Sequence, residues 1–263
     1  MSAVLGLATI YLGLTGLLVG SFLNVVVYRV PRGLSVVRPR SACPTCATPI
    51  AARDNVPVVA WFALRGRCRH CGSRISPRYV IVEAGTGLLF AASTLHFGLH
   101  LWLAAILVLE SGLVALAQID ATHLTLPRSV VWPVVGLEAA IFTVAAIQEH
   151  DARRLLVASA AAVAWYVPFF LINLIAPSSL GYGDVRLVLA LGLGLGWFGP
   201  GVVFVGFFSS NVLAIGVALA GLVRHRRTRS DPLPYGTYLA MGTVLALFVG
   251  PAIVGALGLP GLR

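Results

Sequence analysis

Leu180-Gly181-Tyr182-Gly183-Asp184-Val185-Arg186-Leu187 sets an aspartate between a pair of glycines and an apolar run that continues to residue 198. Holding a charged carboxylate against lipid costs several kcal/mol, so an acid at the head of such a run serves chemistry or caps the helix that follows. The rest of the chain decides between the two. Of 263 residues, 58% are hydrophobic and 11% charged, well under the quarter or so charged in soluble domains, and the mean hydropathy is +0.91. This composition excludes an ordinary soluble domain and predicts an all-α polytopic membrane protein.

Runs of about 20 apolar residues, enough to cross the hydrocarbon core, lie near 4–27, 80–98, 101–119, 130–148, 155–176, 185–198, 202–223 and 236–258. Eight transmembrane helices are expected, with 185–198 the weakest. Its short, glycine-rich run also fits a half-helix or an inward-facing helix.

The formal charge of +10 comes entirely from arginine, since the sequence has no lysine. With the eight spans alternating, segments 28–79, 120–129, 177–186 and 224–235 fall on one side and hold 16 arginines, against Arg153, Arg154 and Arg263 on the other. The positive-inside rule explains that asymmetry without a nucleic-acid partner and puts the N-terminus outside. The basic segment 224–235 then meets anionic lipid headgroups. The first span has no basic residue before Arg29, so it reads as a retained anchor, not a cleaved signal. Toward its end, Gly20-Ser21-Phe22-Leu23-Asn24 suits close helix packing and interhelical hydrogen bonding.

Composition shifts sharply over 28–79, which holds ten arginines, six prolines and all four cysteines. Cys43-Pro44-Thr45-Cys46 and Cys68-Arg69-His70-Cys71 are two C-x2-C pairs separated by 21 residues. Each pair supplies two thiolates on a tight turn, and together they complete a tetrahedral zinc site of the ribbon kind. Four thiolates leave no open position for water, so the zinc is structural, stapling a module too small to build much of a core. His70 reads as a solvated residue, and a cytoplasmic location disfavours disulfides. Three parts follow: an anchor helix over 1–27, a cytoplasmic zinc module over 28–79 and a transmembrane core over 80–263. Beyond these the sequence shows no internal repeat.

Intramembrane acids are functional by default. Glu110 and Glu138, near the middle of the third and fourth spans, are read as protonated and hydrogen-bonded to a neighbouring helix. Glu83, at the cytoplasmic boundary beside the zinc module, is a candidate substrate or methyl-transfer contact. The third span ends in Asp120-Ala121-Thr122-His123, and two spans separate Asp120 from Asp184, so both aspartates emerge at one membrane face. His123 reads as incidental. Two nearby carboxylates share a proton, one activating water while the other polarises a carbonyl. Gly181 and Gly183 let backbone approach an extended substrate. Helix dipoles favour an ionised Asp184 at a helix start and a protonated Asp120 at a helix end.

These residues, in this order, resemble the prepilin peptidases, or type IV leader peptidases, across residues 20–240. The likeness runs through Gly20-Ser21-Phe22-Leu23-Asn24, Tyr28-Arg29, the four-cysteine loop with Asp54-Asn55-Val56-Pro57 and Trp61, and Gly66-Arg67-Cys68. It continues through Arg78-Tyr79, Glu83, Asp120, Leu126-Pro127, Gly181 to Leu187, and Pro234-Tyr235-Gly236. Two positions depart from it: Arg186 replaces a common lysine and Thr237 a common proline. The resemblance implies a GxGD-type intramembrane aspartic protease of the bacterial inner membrane, with Asp120 and Asp184 catalytic. It would remove the short basic leader from prepilins and pseudopilins. Members with a cysteine loop typically also methylate the new N-terminus with S-adenosylmethionine. Presenilin-like proteases share the aspartates but not the cysteines. A proton-coupled transporter would place its acids at the midplane, and an assembly scaffold would leave paired aspartates without a purpose.

Overall fold

The computed structural model describes residues 2–177, 180–224 and 231–258, and these are helical apart from turns, loops and two isolated β-bridges. Arg226, Arg227 and Arg229 of the basic segment, and Arg263, lie outside the described residues. The helices are α1 (Ala3–Arg29), the short α2 (Val59–Ala63), α3 (Arg78–Phe97), α4 (Leu103–His123), α5 (Arg128–Gln148), α6 (Ala152–Ile175), α7 (Tyr182–Gly196), α8 (Pro200–Val223) and α9 (Tyr235–Ala256). Two compact units result, Met1–Leu99 and His100–Arg263.

In the first unit, α1 packs on α3 through glycine. A methyl at Gly16 would lie 2.8 Å from the Thr86 carbonyl oxygen and 2.9 Å from the Gly87 Cα, and one at Gly20 would lie 2.8 Å from the Glu83 Cα. The missing side chains let the two backbones touch, which is how helices associate where apolar burial gives no driving force. Leu7, Tyr11, Leu14, Leu18 and Phe22, all exposed, form the opposite stripe of α1, suited to lipid. Asn24 closes the seam, its Nδ2 donating to the Tyr79 carbonyl at 3.1 Å.

Between α1 and α3 the chain repeats itself, which the sequence reading did not anticipate. Cys43 N–H donates to Thr48 at 3.0 Å and Ala47 N–H to Cys43 at 2.9 Å; Cys68 N–H donates to Ser73 at 2.8 Å and Gly72 N–H to Cys68 at 2.9 Å. The bridges Ala42–Pro49 and Arg67–Arg74 flank the two turns at the same offset. Only turn geometry and the cysteines are shared, so residue-by-residue similarity carries almost no trace of the repeat.

In the second unit, α4 and α7 form the interior. Ala105, Ile106, Leu109, Ala115 and Ile119 of α4 are fully buried, and α7 is buried without interruption from Ala190 to Gly196. Seven helices among the described residues are long and apolar enough to cross a membrane, which makes this a multi-pass membrane protein. The expected eighth is α7, whose 15 residues span only about 22 Å against ~30 Å of hydrocarbon. Its burial suits the inward-facing alternative, and its segment runs the length of α4, from Asp184 near Asp120 to Phe198 beside Trp102. Its glycines admit neighbours: a methyl at Gly192 would lie 2.5 Å from the Ala162 Cα and one at Gly196 2.8 Å from the Ala158 Cα, both on α6. Glu110 and Glu138 are fully buried. The interhelical bond expected of Glu138 is absent, since neither carboxyl oxygen has a hydrogen-bond partner among the described residues.

Candidate active site and metal centre

Asp120 sits in the last turn of α4, which ends where Leu124 turns left-handed (φ 53°) and Pro127 starts the next helix. It is 5% exposed. The N-terminus of α9 is aimed at it: the Thr237 amide donates to Asp120 Oδ2 at 2.9 Å. The Thr237 hydroxyl lies 3.3 Å from that oxygen and 3.0 Å from the Ala117 carbonyl. Gly236 makes the approach possible, because a methyl there would sit 2.8 Å from Leu126 Cδ1 and 3.1 Å from Asp120 Oδ2.

Asp184 is the third residue of α7, after the N-cap Gly181, with its own N–H donating to the Gly181 carbonyl at 3.0 Å. Asn173 Nδ2 holds the entering chain through the Leu180 carbonyl at 2.7 Å. Asp184 lies within Coulombic reach of both Asp120 and Tyr235, and the Tyr235 hydroxyl donates to Asn211 Oδ1 at 3.2 Å. The structure therefore brings the two aspartates to one place from α4 and α7. Gly183 faces Leu126, where a methyl would lie 2.8 Å from the Leu126 Cβ. Leu126, 6% exposed, thus wedges between the starts of α7 and α9.

The proton assignment expected from helix dipoles meets a different arrangement. A start of helix faces each aspartate, but the amide of a second helix is donated to Asp120, while Asp184 Oδ1 is buried without a partner among the described residues. Hydrogen bonds to a carboxylate favour its ionised form, so the geometry argues for charge on Asp120. The dipole argument considered each aspartate only on its own helix and missed α9. Arg186 and His123 engage other partners: the first, half-buried, stacks on Tyr182 at 5.1 Å, and the second, exposed, bonds Thr122 at 2.7 Å. Sequence reasoning passed over Asn173 and Asn211, whose only signal was an amide in an apolar run; Leu126 entered it only through the resemblance, with no role assigned.

In the first unit, the Sγ atoms of Cys43, Cys46, Cys68 and Cys71 all lie within 4.8 Å of one another. Cys43 and Cys71 are 3.8 Å apart, about the edge of a tetrahedron of sulfurs ~2.3 Å from a central ion. Amide donation from Cys46, joined by the Ser73 hydroxyl and the Thr45 amide, pulls Cys43 down to about 5, and Ser73 likewise lowers Cys71. Such thiols are ready to ligate a metal. Glu83, 8% exposed, accepts the Val58 N–H at 2.7 Å through Oε2.

Comparison with known proteins matches two family models, the Bacterial Peptidase A24 N-terminal domain over residues 14–97 and the Type IV leader peptidase family over 107–256. A prepilin leader peptidase/N-methyltransferase of Stutzerimonas stutzeri is 34% identical over 90% of this chain and 89% of its own. Its namesake from Pseudomonas aeruginosa is 35% identical over 91% and 90%, and that of Myxococcus xanthus 42% identical over 73% and 57%. No solved structure matches the chain.

Proposed function

Since the chain belongs to the type IV leader peptidase family, we propose that it removes the leader from prepilin-like proteins as an aspartic endopeptidase and methylates the N-terminus so released. The observation that carries the peptidase half is the convergence of Asp120 and Asp184, from helices far apart in sequence, beneath the start of α9. A transporter or a scaffold has no need of that pair.

In this reading Asp120, charged and held by Thr237, takes a proton from water as the water attacks the scissile carbonyl. Asp184 carries the shared proton, donates a hydrogen bond to the carbonyl oxygen and stabilises the charge that develops there. The proton on Asp120 then passes to the departing amine as the C–N bond breaks. Gly181 and Gly183 leave room for substrate backbone beside the dyad.

The cysteine cluster would hold structural zinc, and S-adenosylmethionine would supply the methyl group when bound. We place the protein in the bacterial inner membrane, with the N-terminus outside and the cysteine module and aspartates at the cytoplasmic face, as the arginine distribution favours. Anchor 1–27, module 28–79 and core 80–263 remain the functional division we favour. The test is mass spectrometry of a pilin-like substrate coexpressed with wild type, Asp120→Ala or Asp184→Ala. A shortened product, lost in both variants and about 14 Da heavier when methylated, is expected. Cleavage by either variant would sink the assignment.

A further inference from the structure

Beside the second cysteine turn lies an open groove of about 500 Å3, lined by Trp61, Arg65, Arg67, Arg74, Ser76 and Pro77 among others. Neither the aspartates nor any cysteine lines it. Trp61 is its fixed element. The indole Nε1–H donates to the Ile75 carbonyl at 3.2 Å, and a methyl at Gly66 would lie 3.0 Å from Trp61 Cζ2, so the turn rests against the ring.

The three arginines are held there against local preference. Arg67 and Arg74 face each other across an antiparallel bridge, where like charges repel. Arg65 adopts φ 52°, a left-handed conformation that its Cβ disfavours. Residues 1–99 contain ten arginines and only two acids, Asp54 and Glu83. Arg69 grips both oxygens of Asp54 at 2.6 and 2.8 Å, and Glu83 accepts the Val58 N–H at 2.7 Å. Among the described residues, none of the three groove guanidiniums has an ion pair or a hydrogen bond. An external anion would offset their repulsion.

The position of the groove identifies that anion. Pro77 lines it, and the next residue, Arg78, opens α3, which is long and apolar enough to cross a membrane. Four residues of chain reach at most about 14 Å, so Arg74 lies close to the headgroup layer. Alongside, α2 presents Val59 and Phe62 one turn apart, 62% and 64% exposed, with Phe62 edge-on to Trp61 at 5.2 Å. Exposed apolar side chains beside arginines suit a segment that sinks into the acyl boundary while its cations meet phosphates. A zwitterionic headgroup brings its own cation to such a groove, and an anionic one does not.

We propose that the groove takes the phosphate of an anionic phospholipid from the leaflet that α3 enters, with Val59 and Phe62 inserted beside it. The contact seats the cysteine module on the membrane. Trp61 sets the spacing of the arginines, and their planar guanidiniums offer paired donors to the phosphate oxygens.

The experiment uses the purified full-length chain. Affinities for a first phosphatidylglycerol or phosphatidylcholine are measured by native mass spectrometry in wild type and two triple variants. One combines Arg65→Gln, Arg67→Gln and Arg74→Gln; the other, matched in charge on the same module, combines Arg38→Gln, Arg40→Gln and Arg53→Gln. The basic segment 224–235 stays intact in both. We expect wild type to prefer the anionic lipid, the preference to fall roughly fivefold for each groove arginine removed, and the matched triple to keep it. Phe62→Ser should weaken both lipids alike. A second readout needs no variant: in vesicles of equal parts of the two lipids, a photoactivatable headgroup on phosphatidylglycerol should label residues 59–78. Equal losses in the two triples would reduce the groove to general charge and overturn the proposal. So would competition by soluble glycerol phosphate as effective as by the lipid, displacement of the label by a pilin-like peptide, or absence of label from 59–78.

Discussion

Thr237 donates its backbone N–H to Asp120 Oδ2 at 2.9 Å, linking the first turn of α9 to the last turn of α4. Proline, common at this position in the family the sequence resembles, has no N–H to give. On the proposed reading the amide is what fixes charge on Asp120. Infrared spectra at neutral pH should therefore show, beside the bands of the buried Glu110 and Glu138, a protonated carboxyl component that survives Asp120→Asn and is lost in Asp184→Asn. The opposite pattern would restore the assignment made from helix dipoles alone.

Leu126 touches two glycines through different atoms, and that separates two rescues. Gly236→Ala collides with the Leu126 δ-carbons, whereas Gly183→Ala collides with its Cβ. Each single substitution should cut leader cleavage by roughly 100-fold, the scale expected when catalytic groups are displaced by about 1 Å. Adding Leu126→Ala should restore much of the activity of Gly236→Ala and none of Gly183→Ala, because alanine keeps the Cβ. Equal rescue of both in a cleavage assay would disprove the wedge.

The two cysteine turns differ at one instructive place. Ala47 (φ 56°) and Gly72 (φ 69°) occupy equivalent left-handed positions, where only glycine is free of a Cβ penalty. Ala47→Gly should stabilise the module by about 0.5–1 kcal/mol and Gly72→Ala should destabilise it similarly. Competition of each variant with a chromophoric chelator for zinc would report the order. Stripping the metal from the wild type should lower its melting temperature by more than either substitution does.

Arg69 holds Asp54 below the ordinary carboxylate range. The folded module therefore binds fewer protons here than the unfolded chain. The contribution is present above the ordinary carboxylate value and is lost as pH falls through the lowered one. Melting curves of wild type and Asp54→Asn should differ at pH 7 and converge near pH 2. A gap that persists in acid would mean that Asp54 acts by packing instead of charge.

Glycines on α1 also allow a matched comparison. Gly16 meets the backbone of α3, while a methyl at Gly6 would meet nothing within 4 Å. Gly16→Leu should destabilise the first unit by about 1–3 kcal/mol, and Gly6→Leu should leave it unchanged or slightly steadier. Limited proteolysis between α1 and α3 in membranes would distinguish them.

The spans, the cysteine site and both aspartates were legible because each leaves a local mark: a long apolar run, a fixed thiol spacing, an acid where lipid is expected. What stayed hidden depends on partners remote in sequence. Thr237 gains its role from Asp120, 117 residues away, and Leu126 from glycines on two other helices. The 185–198 run was the weakest of the expected spans for a related reason. Hydropathy registers that α7 avoids water, and burial in protein satisfies that as well as lipid does.

Because α7 is too short to be recognised as a span by itself, its delivery to the bilayer depends on a neighbour. During synthesis α6 must wait, partly unsatisfied on its Ala158 and Ala162 stripe, until the following fifteen residues arrive to cover it. Asp184 would thus enter the membrane as part of a hairpin, and the dyad would be assembled only after both halves of that hairpin had left the ribosome.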